Sequence, residues 1–133
     1  VKHDIRRVEE AVIRPYMGAG KKEGLSFVPK TEYAMLYVDD EPAGFCGLRY
    51  LGNRATYRNL YVRPLFRGQG LGATLIRYQI SRSREMSMQF AIAYTNPNSL
   101  RLYLGCGGVL MDSDRFYGLV HFDLKDHYRV RGL

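Results

Sequence analysis

Acidic residues are scarce in this chain, and their placement is more telling than their number. Of 133 residues, 13 are Asp or Glu against 20 Lys or Arg, a net charge of +7 at neutral pH. From Met86 to Met111 there is no Asp or Glu at all. Such a balance calls for an anionic partner such as a polyphosphate, an acidic substrate or nucleic acid, although a basic surface also serves solubility. The cations are dispersed (Arg6 and Arg7, Lys21 and Lys22, Arg82 and Arg84, Arg129 and Arg131), so no Lys/Arg block marks a disordered arm. Cysteine is also rare. Cys46 and Cys106 lie in apolar or Gly-rich surroundings and form no paired framework. Together with the lack of an apolar leader in "VKHDIRRVEE", this sets the expectation of a reduced, cytoplasmic protein. No apolar run approaches the roughly 18 to 20 residues that cross a bilayer, so no membrane partner is expected. Repeats and low-complexity tracts are missing too, and the length fits a single domain over residues 1–133.

What is present reads as a mixed chain. Asp4 to about Tyr16 has helical spacing, with Asp4 as cap and Ile5, Val8, Val12 and Ile13 near one face. "GAGKKEG", Gly18 to Gly24, reads as a mobile loop. Three strands follow, Thr31–Val38, Ala43–Leu51 and Arg54–Val62, the last two joined by a hairpin turn at Gly52-Asn53. A helix from Leu71 to about Arg84 buries Leu71, Leu75, Ile76 and Ile80. Ser87–Tyr94 has the continuous apolar character of a central strand. A short helix, Ser99–Leu104, starts at Asn98 or Ser99, and two more strands lie near Val109–Asp112 and Tyr117–Leu124. A meander of this kind is not the alternating pattern of a doubly wound fold.

The glycines carry the functional signal. "PYMGAGKK" fails as a phosphate-binding P-loop: Pro15 stands where the first glycine belongs, and Lys22 where Ser or Thr belongs. Gly68, Gly70 and Ala73 meet the dinucleotide-binding spacing, but no acidic residue follows at the distance the ribose requires. What remains is Arg67-Gly68-Gln69-Gly70-Leu71-Gly72 between a strand and a helix. Glycine there lets successive N–H groups converge at a positive helix end, where a pyrophosphate fits.

"LYVRPLFRGQGLG" resembles the cofactor motif of the GNAT superfamily of acyl-CoA-dependent N-acyltransferases, with Leu60, Val62, Pro64, Arg67, Gly68, Gly70, Leu71 and Gly72 in register. "NPNSLRLYLGCGG" is similar to the family's next block at Asn96, Ser99, Leu102, Tyr103 and Gly107, with Gly108 replacing the usual aromatic residue. The resemblance covers about Tyr33 to Leu124. It implies an α/β (α+β) fold: a mixed, mostly antiparallel central sheet of about six strands flanked by helices, with no room for the family's opening strand. A sheet edge left short in this way leads to the expectation of a homodimer.

For the site, the resemblance implies acetyl-CoA as co-substrate and no metal. Its pyrophosphate would sit on the amides of Arg67, Gly68, Gln69, Gly70, Leu71 and Gly72. Its pantetheine arm would lie along Leu60, Tyr61 and Val62, where a bulge opens the sheet, and Asn96 would hydrogen-bond it. The amide of Leu60 or Val62 would polarise the thioester carbonyl. Tyr103 falls at the family's general-acid position, beside the departing thiolate. In this reading Asn98 caps the short helix.

The family's usual basic Glu has no counterpart: "ATYRNLYV" and "SMQFAIAY" lack carboxylates. Glu32 is the weak candidate, with His121 or a water held by Tyr57, Asn59 or Tyr61 as alternatives. Cys46 and Cys106 have no neighbouring His in sequence and are taken as inert. The activity implied is transfer of an acetyl group from acetyl-CoA to a primary amine by direct attack. Lys21 and Lys22 favour an acidic acceptor or the CoA phosphates. Two rival readings stand beside it. The net charge, the 11 tyrosines and the tail "KDHYRVRGL" fit an enzyme directed to nucleic acid. The missing base fits a non-catalytic acyl-CoA-binding protein.

Overall fold

The computed structural model describes residues 1–115 and 117–125. The first departure from the sequence reading comes at once. His3–Val8 is a strand, β1, antiparallel to β2 (Glu32–Val38), with Ile5 opposite Leu36 and Val8 opposite Tyr33. The opening strand expected to be missing is therefore present, and Asp4–Val8 is not helical. Ile5 and Val8, three apart, satisfy a helical face, but in a strand an odd spacing points them to opposite faces. They do pack on opposite sides, Ile5 beside Leu36 and Leu75, Val8 beside Ile13 and Tyr33. With β1 in place, the reason for expecting a second chain along that edge lapses.

Helix α1 (Glu10–Lys22) follows and runs through most of the segment read as a mobile loop. Gly20 is buried in it, and a Cβ there would stand 3.2 Å from the Phe27 ring. This contact holds the helix end against the returning chain. After β2, the meander continues through β3 (Glu41–Leu51) and β4 (Arg54–Val62). A short 3-10 turn, Pro64–Phe66, leads to α2 (Leu71–Glu85) and then β5 (Phe90–Thr95). The chain finishes with α3 (Pro97–Gly105), β6 (Val109–Ser113) and β7 (Gly118–Asp123).

One seven-stranded sheet results, in the order β1-β2-β3-β4-β5-β7-β6. Every neighbouring pair is antiparallel except β4 and β5, which α2 joins by a crossover. The fold class is thus the expected one, with one strand more. On one face, Leu48, Tyr57, Ile76, Tyr103 and Phe122 share a core with α2 and α3. On the other, Ile13 of α1 packs with Tyr33, Met35, Phe45 and Tyr61. Each fully buried large apolar side chain of this kind stabilises the fold by about 1.5–3 kcal/mol.

The buried stripe of α2 includes Leu71, Leu75, Gln79 and Ser83, each four residues from the last. Two polar groups thereby enter the core between helix and sheet. Gly108 stands where the sequence pattern leads one to expect an aromatic residue: even a Cβ would approach Val120 Cγ1 to 2.3 Å. Among the described residues no helix is long and apolar enough to cross a membrane. Most of the basic tail, residues 126–133 with Arg129 and Arg131, lies outside the described residues.

Candidate active site

The site begins with an interruption in β4. Phe45 of β3 faces Tyr61, but Gly47 faces Arg58, so β4 carries one residue more than its partner across this step. Asn59 takes up the excess with φ +56°, a left-handed conformation that Asn tolerates better than most residues. On the other edge, pairing of β4 with β5 covers only Arg54–Tyr57 against Phe90–Ala93. Beyond Tyr57 the two parallel strands part. The Arg63 N–H donates to the Ala43 carbonyl of β3 at 2.8 Å, so by strand alternation the Val62 N–H faces the opening instead.

Two adjoining cavities fill the opening, of about 540 and 320 Å³. They share Leu25, Leu60, Asn96 and Ser99. Leu60, Tyr61, Val62, Arg67, Gly68, Gly70, Leu71, Gly72 and Asn96 line the larger cavity. Gln69 is not among its lining residues. Gly68 and Gly70 have φ of +83° and +76°, and a Cβ on either would meet nothing within 4 Å. Glycine is thus required there by backbone conformation, not by space. Gly70 caps α2 without a side-chain hydrogen bond, which leaves the first-turn amides to the cavity. Arg67 lies back along β4: its Nε donates to the Val62 carbonyl, and its Nη2 holds both oxygens of Glu23 at 2.7 and 2.8 Å. Glu23 also lines the larger cavity, a carboxylate that sequence reasoning did not single out.

The smaller cavity is lined by Tyr57, Arg58, Asn59, Tyr94, Thr95, Tyr103 and Tyr117, with the segment Gly24–Ser26. Tyr103 is 3% exposed and donates its hydroxyl hydrogen to Gln79 Oε1 at 3.0 Å. Burial pushes its phenol well above the ordinary range, so it stays protonated at neutral pH. Its ring stacks on Tyr57, whose hydroxyl pairs with Ser83 Oγ at 2.7 Å. Gln79 also donates to the Gly47 carbonyl at 3.0 Å, and so ties Tyr103 to the strand interruption. Sequence analysis missed Gln79. The available signal was a polar residue on the four-residue ladder of an otherwise apolar helix face.

Other sequence candidates fall differently. Asn96, not Asn98, caps α3: its Oδ1 accepts from Ser99 N–H at 2.9 Å, and Ser99 Oγ accepts from Asn96 N–H at 3.2 Å. Asn96 still borders both cavities, with its carbonyl oxygen committed to the helix. Glu32 lines neither. It is bound by Arg82 at 2.8 Å and by the Tyr50 hydroxyl at 3.1 Å. Partial burial pushes its carboxyl up, but Arg82 and Tyr50 outweigh this and leave it below the usual carboxylate range. His121 stacks on Phe90, outside both cavities. Cys46 is buried, and loss of solvent raises its thiol far above neutrality; burial also raises Cys106. Neither is poised as a nucleophile. Among the described residues no three His, Cys, Asp or Glu side chains converge to hold a metal ion.

Known proteins share this architecture. A Bacillus subtilis (strain 168) protein carrying the name [ribosomal protein bS18]-alanine N-acetyltransferase is 33% identical over 57 residues, which are 43% of this chain and 38% of that protein. The match therefore spans well under half the length of that relative. The PaiA N-acetyltransferase of Thermoplasma acidophilum, solved with coenzyme A, superposes with a TM-score of 0.70 at 14% identity, covering 92% of this chain and 99% of that one. The ribosomal-protein-S18-alanine N-acetyltransferase of Escherichia coli gives 0.72 at 15%, over 90% and 91%. These structures share the fold. The sequence pattern of the Acetyltransferase (GNAT) family matches residues 6–108, from β1 to the end of α3 and the turn beyond it. The chain is therefore a member of the GNAT acetyltransferase family.

Proposed function

We propose that this protein transfers an acetyl group from acetyl-CoA to a primary amine, with both substrates bound at once. The observation that carries the reading is the meeting of two unlike cavities at the gap between β4 and β5. The larger offers uncapped helix amides at Gly70–Gly72, an apolar wall and a strand edge unpaired with β5 beyond Tyr57, where Arg67 holds only the Val62 carbonyl. These are the partners a diphosphate and a two-amide arm require, so the residues present fit acetyl-CoA. The Val62 N–H, turned to the gap, is placed to donate to the thioester oxygen as negative charge develops there. A fixed donor of this kind contributes about 3–4 kcal/mol.

The amine nitrogen attacks the thioester carbon; the new C–N bond forms as the C–S bond breaks. Tyr103, protonated and bordering the smaller cavity, gives its proton to the departing sulfur and regains one from solvent. Its hydroxyl turns from Gln79 Oε1 to do so. Among the described residues, the lining of the smaller cavity contains neither carboxylate nor imidazole. The amine therefore enters neutral, and its proton leaves to water.

The names of the Bacillus subtilis and Escherichia coli proteins give an alanine of a ribosomal protein as their acceptor. A peptide N-terminus thus belongs in any acceptor screen beside small amines. The test is calorimetric titration with acetyl-CoA, beside dephospho-CoA and NAD, followed by thiol release over an amine panel. Micromolar binding selective for acetyl-CoA, with turnover, is the expected result. Binding without turnover would leave an acyl-CoA-binding protein, and no binding would overturn the reading.

A further inference from the structure

The smaller cavity holds a cation with nothing to balance it. Among the described residues, Arg58 is the one charged residue in its lining. Its Nη2 donates to Ser26 Oγ at 3.1 Å, and its Nε is buried without a hydrogen-bond partner. Among the described residues no carboxylate lies within ion-pair distance of it; the same holds for Arg54, whose Nε is likewise buried without a partner, but Arg54 lines neither cavity. Leaving a partly buried guanidinium with only a neutral hydroxyl forgoes its strongest interaction, the forked pair with a carboxylate. An anion arriving in the cavity would supply that interaction.

We propose that the acceptor is an amine carrying a carboxylate a few atoms away, and that Arg58 binds that carboxylate; the proposal rests on the acetyltransferase reading above. The cavity supports this. Tyr94 and Tyr117, with ring centres 6.2 Å apart, wall it with aromatic surface, and about 320 Å³ is the size of a small-molecule pocket. Arg58 stands on the strand interruption itself, next to Asn59, whose Nδ2 donates to the Ser26 carbonyl at 2.8 Å. Ser26 is therefore held in place when its hydroxyl yields Arg58 to an incoming carboxylate. The cation has a second effect. A guanidinium near the amine disfavours the ammonium form, so it raises the fraction of neutral nucleophile in a cavity that has no base. Two sources of the chemistry exist, a free amino acid and a peptide whose first residue is acidic.

Matched pairs separate the sources. Free L-amino acids are compared with their carboxamides, and C-amidated tripeptides beginning with Asp or Glu with those beginning with Asn or Gln. Each ligand is titrated into the CoA-saturated protein, so that the result does not depend on turnover. In one of the two arms the carboxylate member should bind at least about tenfold more tightly. Arg58→Gln should bring that ratio close to one, with CoA affinity measured on the same variant as a check of folding. Equal affinity within every pair, no binding in either arm, or a preference that survives Arg58→Gln would each overturn the assignment. Thiol release over the same panel tests the acetyltransferase reading separately: carboxylate-selective binding without thiol release would sink that reading and leave Arg58 as the anion site.

Discussion

At the scale of single residues, Tyr103 and Glu32 show what burial does to two ionisable groups. Loss of water raises both, but Glu32 meets Arg82 and Tyr103 meets only the neutral Gln79. The first ends as a committed carboxylate, the second as a proton store. Tyr103→Phe should lower kcat by roughly ten- to a thousandfold with acetyl-CoA affinity nearly unchanged, read from steady-state kinetics and calorimetry on the same protein. An unchanged kcat would reduce Tyr103 to a core residue. Glu32 has a folded-state pKa below its unfolded value, so its ionisation favours the folded state above the unfolded pKa. That contribution disappears as the pH falls through the folded value. Urea midpoints between pH 7 and pH 3 should therefore fall less steeply in Glu32→Gln than in the parent protein, by a modest margin because the pair is partly exposed. Parallel slopes would show that the pair is electrostatically idle. Much of this was hidden from sequence. The Asn-Pro pair with Ser three residues on marks the α3 cap, a signal that the sequence reading missed in favour of Asn98, and whether Arg58 or Glu32 has a partner is decided by residues 26, 50 and 82, far along the chain.

At the scale of elements, the glycine turn and α2 were legible because their requirement is local. Positive φ at Gly68 and Gly70 and a four-residue apolar repeat both leave a pattern in the letters. β1 left none, since a six-residue edge strand is fixed by the backbone of β2 and its two apolar residues serve opposite faces. The turn yields a paired prediction. Asn tolerates left-handed backbone, so Gly70→Asn should keep acetyl-CoA binding within about tenfold. Gly70→Glu, which brings a carboxylate to the uncapped amides, should lose at least about a hundredfold by calorimetry. If the two variants bind alike, the turn is not where the diphosphate sits.

At the scale of the whole molecule, the smaller cavity has neither carboxylate nor imidazole among its described lining residues. If no protein group takes the amine proton, log kcat/KM should rise with unit slope up to the pKa of the free acceptor amine. No further inflection from a carboxylate or imidazole should appear between pH 4 and pH 7. A second inflection there would reveal a base outside the cavity lining. The sheet order has one more consequence, for how the chain folds. β1 to β4 form a run of sequence neighbours, and β5, β7 and β6 form a second run; the pairings within each are antiparallel, but β1–β2 closes across α1 and β5–β7 across α3 and β6. Only the short parallel ladder between Arg54–Tyr57 and Phe90–Ala93 stitches the two runs together, across the length of α2. Loop closure places that stitch among the later pairings to form, together with β1–β2 and β5–β7. The gap between β4 and β5 thus lies on the seam between the two runs, and the protein has no place for its substrates until both are in position.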